Sequence, residues 1–137
     1  MKVLYLNSQN QIIDIDNLFE GTITGSAVSP REVMECAFKH DTVSLVFVHN
    51  HPSGNPEPSQ NDKQITRDLV YAAAIMQVKV LDHVIIGNNR YFSFAADGLI
   101  EQYELDFLGL KMKGVSEAKR RLYQAKFFGG LVDDSRR

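Results

Sequence analysis

The sequence predicts an α/β fold in which a mixed β-sheet is flanked by helices. Three observations lead there. Short apolar, β-branched runs recur at residues 2–6, 42–49 and 78–87, and two sharply signalled helix starts, at Ser29 and Ser59, fall between them. The run at 42–49 (TVSLVFVH) is apolar almost throughout, as expected of a central strand covered on both faces.

In chain order, residues 2–6 (KVLYL) make a first strand, and Asn7-Ser8-Gln9-Asn10 supplies a turn. Residues 11–16 (QIIDID) and 18–24 (LFEGTIT) read as further strand material. At Ser29-Pro30-Arg31-Glu32 the serine can cap free amides, the proline suits a first turn, and the glutamate stands three residues beyond the cap. Val33 and Ala37, with Cys36 and His40 near them, carry this helix to about residue 40. Beyond the central strand, Pro52, Gly54, Pro56 and Pro58 make residues 50–58 a constrained loop. Ser59 then opens a second helix, whose Ile65, Leu69, Ala72, Ala73 and Met76 suit packing on the sheet. Residues 78–87 (VKVLDHVIIG) form another strand, Asn88-Asn89 turns the chain, and Arg90–Phe94 returns as its hairpin partner.

The 137 residues suit a domain with a true core, and a chain of this size buries roughly two thirds of its unfolded surface. With 44% hydrophobic and 23% charged residues, bulk disorder is excluded. A net charge of -2 supplies no global basic field for nucleic acid. The single cysteine, Cys36, has no partner for an internal disulfide and no Cys-x-x-Cys companion; a small buried helix residue is expected there rather than a nucleophile. Neither a signal-peptide pattern nor an apolar run of about 20 residues is present, so a cytoplasmic chain without a membrane partner is expected. The composition shifts near residue 100. Residues 101–137 hold 8 Lys/Arg and 6 Asp/Glu (+2), whereas residues 1–100 hold 7 and 11 (-4). We therefore expect a domain over 1–100 and a charged, partly helical extension over 101–137. Within that extension Ala118–Phe128 (AKRRLYQAKFF) reads as a basic amphipathic helix, either a solvated face or a weak site for DNA.

The chemistry concentrates in residues 49–62, HNHPSGNPEPSQND. His49 ends the central strand and His51 follows two positions on, where the loop lets both imidazoles converge. Imidazole suits zinc, and Asp62 lies one helical turn beyond Ser59. A His-His-Asp set would leave a fourth tetrahedral position for water. The ordinary reading stands beside it: Ser59 caps the helix and Asp62 favours its first turn.

The pattern His-x-His, seven residues, Ser, two residues, Asp resembles the metalloprotease motif of the JAB/MPN (JAMM) domain family, and specifically its RadC-like branch. LDHVIIG at 81–87 and the following YFSFAADGLI, with VLYLN, LFEGTIT and the SPRE helix start, resemble that branch too, so the likeness covers residues 1 to about 100. The resemblance implies a cytidine-deaminase-like sandwich with Zn²⁺ held by His49, His51 and Asp62. It further implies a zinc-activated water that attacks a peptide or isopeptide carbonyl, with the Ser59 hydroxyl stabilising the oxyanion. Active members also use a glutamate immediately ahead of the first core strand. This chain starts at Met1, so that carboxylate is expected to be missing; Glu20, Glu32 and Glu35 do not match its place. Two functions follow as expectations: a zinc-dependent metallopeptidase or isopeptidase, impaired without its glutamate, or a noncatalytic metal-binding or DNA-repair-associated module.

Overall fold

The computed structural model describes residues 1–19 and 28–125. Its elements are β1 (Lys2–Leu6), β2 (Ile12–Asn17), α1 (Pro30–Lys39), β3 (Ser44–Asn50), α2 (Gln60–Ile75), β4 (Lys79–Ile86), β5 (Tyr91–Ser93) and α3 (Leu99–Gln124). The strands form one sheet in the order β2-β1-β3-β4-β5. β3 and β4 run parallel, joined through α2, while β1/β2, β1/β3 and β4/β5 are antiparallel. This is the mixed sheet with flanking helices that the sequence predicts. Of the strand expected at 18–24, Leu18 and Phe19 lie outside any strand, and residues 20–24 fall outside the described residues.

Both early helices start as the sequence indicates. The Ser29 side chain accepts the Glu32 amide, and Pro30 opens α1 where its missing N–H breaks no helical bond. α1 buries Val33, Met34 and Ala37, and α2 buries Ile65, Leu69, Val70 and Ala73. These side chains form one core with Val3, Tyr5, Leu45, Phe47, Val80 and Ile85. The strand residues of that set share one sheet face, because Val3 pairs with Phe47, Tyr5 with Leu45, Leu45 with Val80, and Phe47 with His83. The alternate positions Leu4, Val46, Val48 and Val84 are only half-buried, so β3 is not sealed on both faces as its apolar run suggests. Met76 departs as well. It is the C-cap of α2 and 43% exposed, beyond the last turn that packs on the sheet.

The chain resolves into two compact units, Met1–Glu104 and Leu105–Arg137. Ile100 and Tyr103, in the first two turns of α3, belong to the core of the first unit. From Leu105 onward α3 exposes Leu105, Leu108, Leu110, Met112 and Leu122. The basic segment expected over 118–128 is helical as far as Gln124, and residues 126–128 fall outside the described residues. Among the described residues no helix is long and apolar enough to cross a membrane.

Candidate metal centre

The carboxyl end of β3, the loop after it and the first turn of α2 meet at one point. His49, 5% exposed, projects from β3 toward the helix-covered face. His51 follows in the loop, and the loop is fixed onto the end of β4: the His51 amide donates to the Ile86 carbonyl and the Asn88 amide to the Gly54 carbonyl. Gly54 has φ +84°, a region that disfavours any side chain. Gly87 is required for a different reason: a Cβ there would stand 2.3 Å from the Gly54 carbonyl oxygen.

α2 begins with a full capping box. The Ser59 hydroxyl accepts the Asp62 amide at 3.0 Å, and the Asp62 carboxylate accepts the Ser59 amide at 2.7 Å. That carboxylate is 1% exposed. His51 Nε2 lies 3.0 Å from Asp62 Oδ2, and His49 Nδ1 lies 3.5 Å from Asp62 Oδ1. The two imidazoles stand edge to face with centroids 4.9 Å apart. The structure thus brings His49, His51 and Asp62 together with donor atoms all within 4.8 Å of one another, and sets Ser59 against the same carboxylate.

The donor set fits a cation. His51 Nδ1 must donate to the Asn55 carbonyl at 2.8 Å, because a carbonyl can only accept. In the neutral ring Nε2 is then a bare lone pair, facing a carboxylate oxygen that already accepts the Ser59 amide. His49 Nδ1 is buried without a hydrogen bond. Burial also pushes the His49 imidazole below its usual pKa, so it is a poor counter-ion for Asp62. Converging acceptors around a buried carboxylate, with no Lys or Arg ion pair to Asp62 among the described residues, make a cluster that can hold a metal ion.

The family model for the RadC-like JAB domain matches residues 1–99. The chain belongs to this family. It is similar to the UPF0758 protein YeeS of Escherichia coli (strain K12), 48% identical over 99 residues, which are 72% of this chain and 67% of that protein. A UPF0758 protein of Pseudoalteromonas translucida is 50% identical over 98 residues, 72% of this chain and 44% of the relative. One of Symbiobacterium thermophilum is 45% identical over 98 residues, 72% of this chain and 42% of the relative. The chain therefore spans less than half the length of these last two. All four motif residues of the RadC-like JAB chain fall in the matched segment.

A buried relay behind the cluster escapes sequence reasoning. The Thr66 hydroxyl, 2.6 Å from the Asp62 carbonyl and 2.7 Å from His83 Nδ1, must donate to the carbonyl. His83 Nδ1 is therefore the protonated nitrogen, and Nε2 is left buried without a partner. His83 stacks on Phe94 at 4.8 Å and 5°, and burial pushes its pKa down to about 3. The Asp82 carboxylate takes no part in fixing the tautomer; it accepts from the His83 and Ala95 amides and from the Ser93 hydroxyl. The position of Thr66, one turn after Asp62, was the available signal for the relay. Among the described residues no glutamate belongs to the cluster: Glu35 pairs with Arg31 on the exposed face of α1, and Glu32 sits in that helix's first turn. Glu20 is outside the described residues.

Proposed function

We propose that this RadC-like JAB domain is a zinc-binding module, with His49, His51 and Asp62 as protein ligands. One observation carries the reading: the buried Asp62 carboxylate faces the bare His51 Nε2 at 3.0 Å, an arrangement that requires a proton or a cation between them. The donors are two imidazoles and one carboxylate, a set suited to zinc with one coordination position left over. The Asn55 carbonyl holds the His51 tautomer that offers Nε2 to the ion.

Hydrolysis of a peptide or isopeptide bond is the activity this centre is suited to support. A bound zinc ion supplies Lewis acidity, lowering the pKa of water and polarising a carbonyl. Ser59 accepts the Asp62 amide with an oxygen lone pair, which leaves its own proton free to donate to a developing oxyanion. Lys2 of β1 pairs with Val48, next to His49. A carboxylate carried just ahead of β1, as the family resemblance implies, would arrive beside the cluster to move the proton.

Metal content of the chain purified without added metal, compared with His49→Ala, tests the reading. The substitution should remove one equivalent of zinc per chain. Equal zinc in both proteins refutes the assignment. Cleavage of peptide and isopeptide probes, lost in both His49→Ala and Asp62→Asn, would add the hydrolase function. Full zinc with no cleavage leaves a metal-binding module.

A further inference from the structure

A second set of metal-binding side chains lies at the β2 edge of the sheet. Asp14 and Asp16 are two positions apart on β2 and so share a face; their register partners are Tyr5 and Val3. Cys36 and His40 are four positions apart, in α1 and at its C-cap, and so share a helix face. The two pairs meet. Cys36 Sγ is 2.9 Å from Asp16 Oδ2, His40 Nε2 is 2.9 Å from Asp14 Oδ2, and donor atoms of Asp14, Cys36 and His40 all lie within 4.8 Å of one another. Behind them the buried Tyr5 hydroxyl donates to Asp16 at 3.4 Å.

We propose that Asp14, Cys36 and His40, with Asp16 beside them, form a second site for a divalent transition metal of the zinc class. A thiolate, an imidazole and carboxylates are the mixed donor set that such ions favour over magnesium or calcium. Electrostatics support it on two independent counts. Among the described residues neither carboxylate has a Lys or Arg ion pair, and the site sits at the C-terminal, negative end of α1. The His40 and Asp14 side chains are each 37% exposed, so an ion can enter from solvent. On binding, Cys36 loses its proton to solvent and the thiolate sulfur ligates the ion. The occupied site would tie the edge strand β2 to the end of α1.

Because the chain has one cysteine, sulfur reports this site alone. The full chain, stripped of metal, is titrated with Co²⁺ and watched for a sulfur-to-cobalt charge-transfer band. In parallel, Cys36 modification by an aromatic disulfide reagent is timed with and without Zn²⁺. We expect the band in wild type and in His49→Ala but not in His40→Ala or Cys36→Ser, each checked for folding by circular dichroism. Zinc should slow Cys36 modification roughly tenfold or more, reversibly with chelator, and should not slow it in His40→Ala. No band in folded wild type, a band lost in His49→Ala, or a modification rate indifferent to zinc overturns the proposal.

Discussion

Acid should destabilise this domain through His83 in particular. Its imidazole is fully buried, donates from Nδ1 to Thr66, and has its pKa lowered from 6.5 to about 3 by burial. Above the unfolded value both states leave the ring neutral, and the stability it contributes is fully present. As pH falls below that value the unfolded chain takes up a proton that the folded chain refuses, so stability is lost until the folded pKa is reached. The loss is roughly 1.4 kcal/mol per pH unit, or about 3 kcal/mol by about pH 4.5. The comparison is wild type against His83→Asn, whose amide can replace the Nδ1 donor without titrating. Both are unfolded in urea with chelator present, near pH 7.5 and near pH 4.5. His49 titrates in both proteins and cancels in the difference. At the higher pH the variant should be the weaker protein, by roughly 1–2 kcal/mol for its lost volume. At the lower pH the order should reverse. Parallel loss of stability in the two proteins would show that His83 is not the group that links folding to acid.

The neighbouring contacts give further expectations. Thr66→Val removes the hydroxyl between His83 Nδ1 and the Asp62 carbonyl, leaving buried polar groups unpaired; a loss of about 1–3 kcal/mol in urea unfolding is expected, and Thr66→Ser should restore most of it. Ser59→Ala deletes half of the capping box and should cost about 1 kcal/mol in the same assay. Gly87→Ala drives a methyl into the Gly54 carbonyl, so calorimetry should show about 1–3 kcal/mol of destabilisation together with weaker zinc binding, since the same loop carries His51.

The sequence made the local devices legible and left the tertiary ones hidden. Ser29-Pro30 and Ser59 mark α1 and α2 because caps are decided within one turn of chain. His49, His51 and Asp62 could be grouped because their spacing survives translation into a strand end, a loop and a first helical turn. The half-burial of Val46 and Val48 could not be read, since the composition of a strand does not say what covers its second face. The same holds for Cys36: helical spacing placed it beside Ala37, but only the pairing of β2 with β1 puts Asp16 against its thiol. Gly87 is the plainest case. It reads as the end of a strand, and its necessity appears only when the Gly54 carbonyl arrives from the other side of the loop.

Asp62 stands in two places at once, as half of the capping box and as the carboxylate of the cluster that can hold a metal ion, and one substitution separates them. In Asp62→Asn the amide oxygen can take the place of Oδ2 and still accept the Ser59 N–H, so the helix start survives. The amide nitrogen then takes the place of Oδ1, 3.5 Å from His49 Nδ1, and can offer that unpartnered buried nitrogen a donor. A buried negative charge is removed as well. The metal-free variant should therefore match wild type within about 1 kcal/mol or exceed it, an unusual result for a residue 1% exposed. Zinc reverses the ranking. At a concentration about 100-fold above the dissociation constant of this cluster, zinc bound there adds about 2.7 kcal/mol to wild type. At that concentration Asp62→Asn should gain at least about 2 kcal/mol less than wild type, having lost the charged ligand, while any stabilisation through Asp14, Cys36 and His40 is common to both proteins. Urea unfolding with chelator and with zinc reads all four values. Equal zinc stabilisation of the two proteins would place the ion elsewhere. A collapse of the metal-free variant would mean that Asp62 is held for the fold alone.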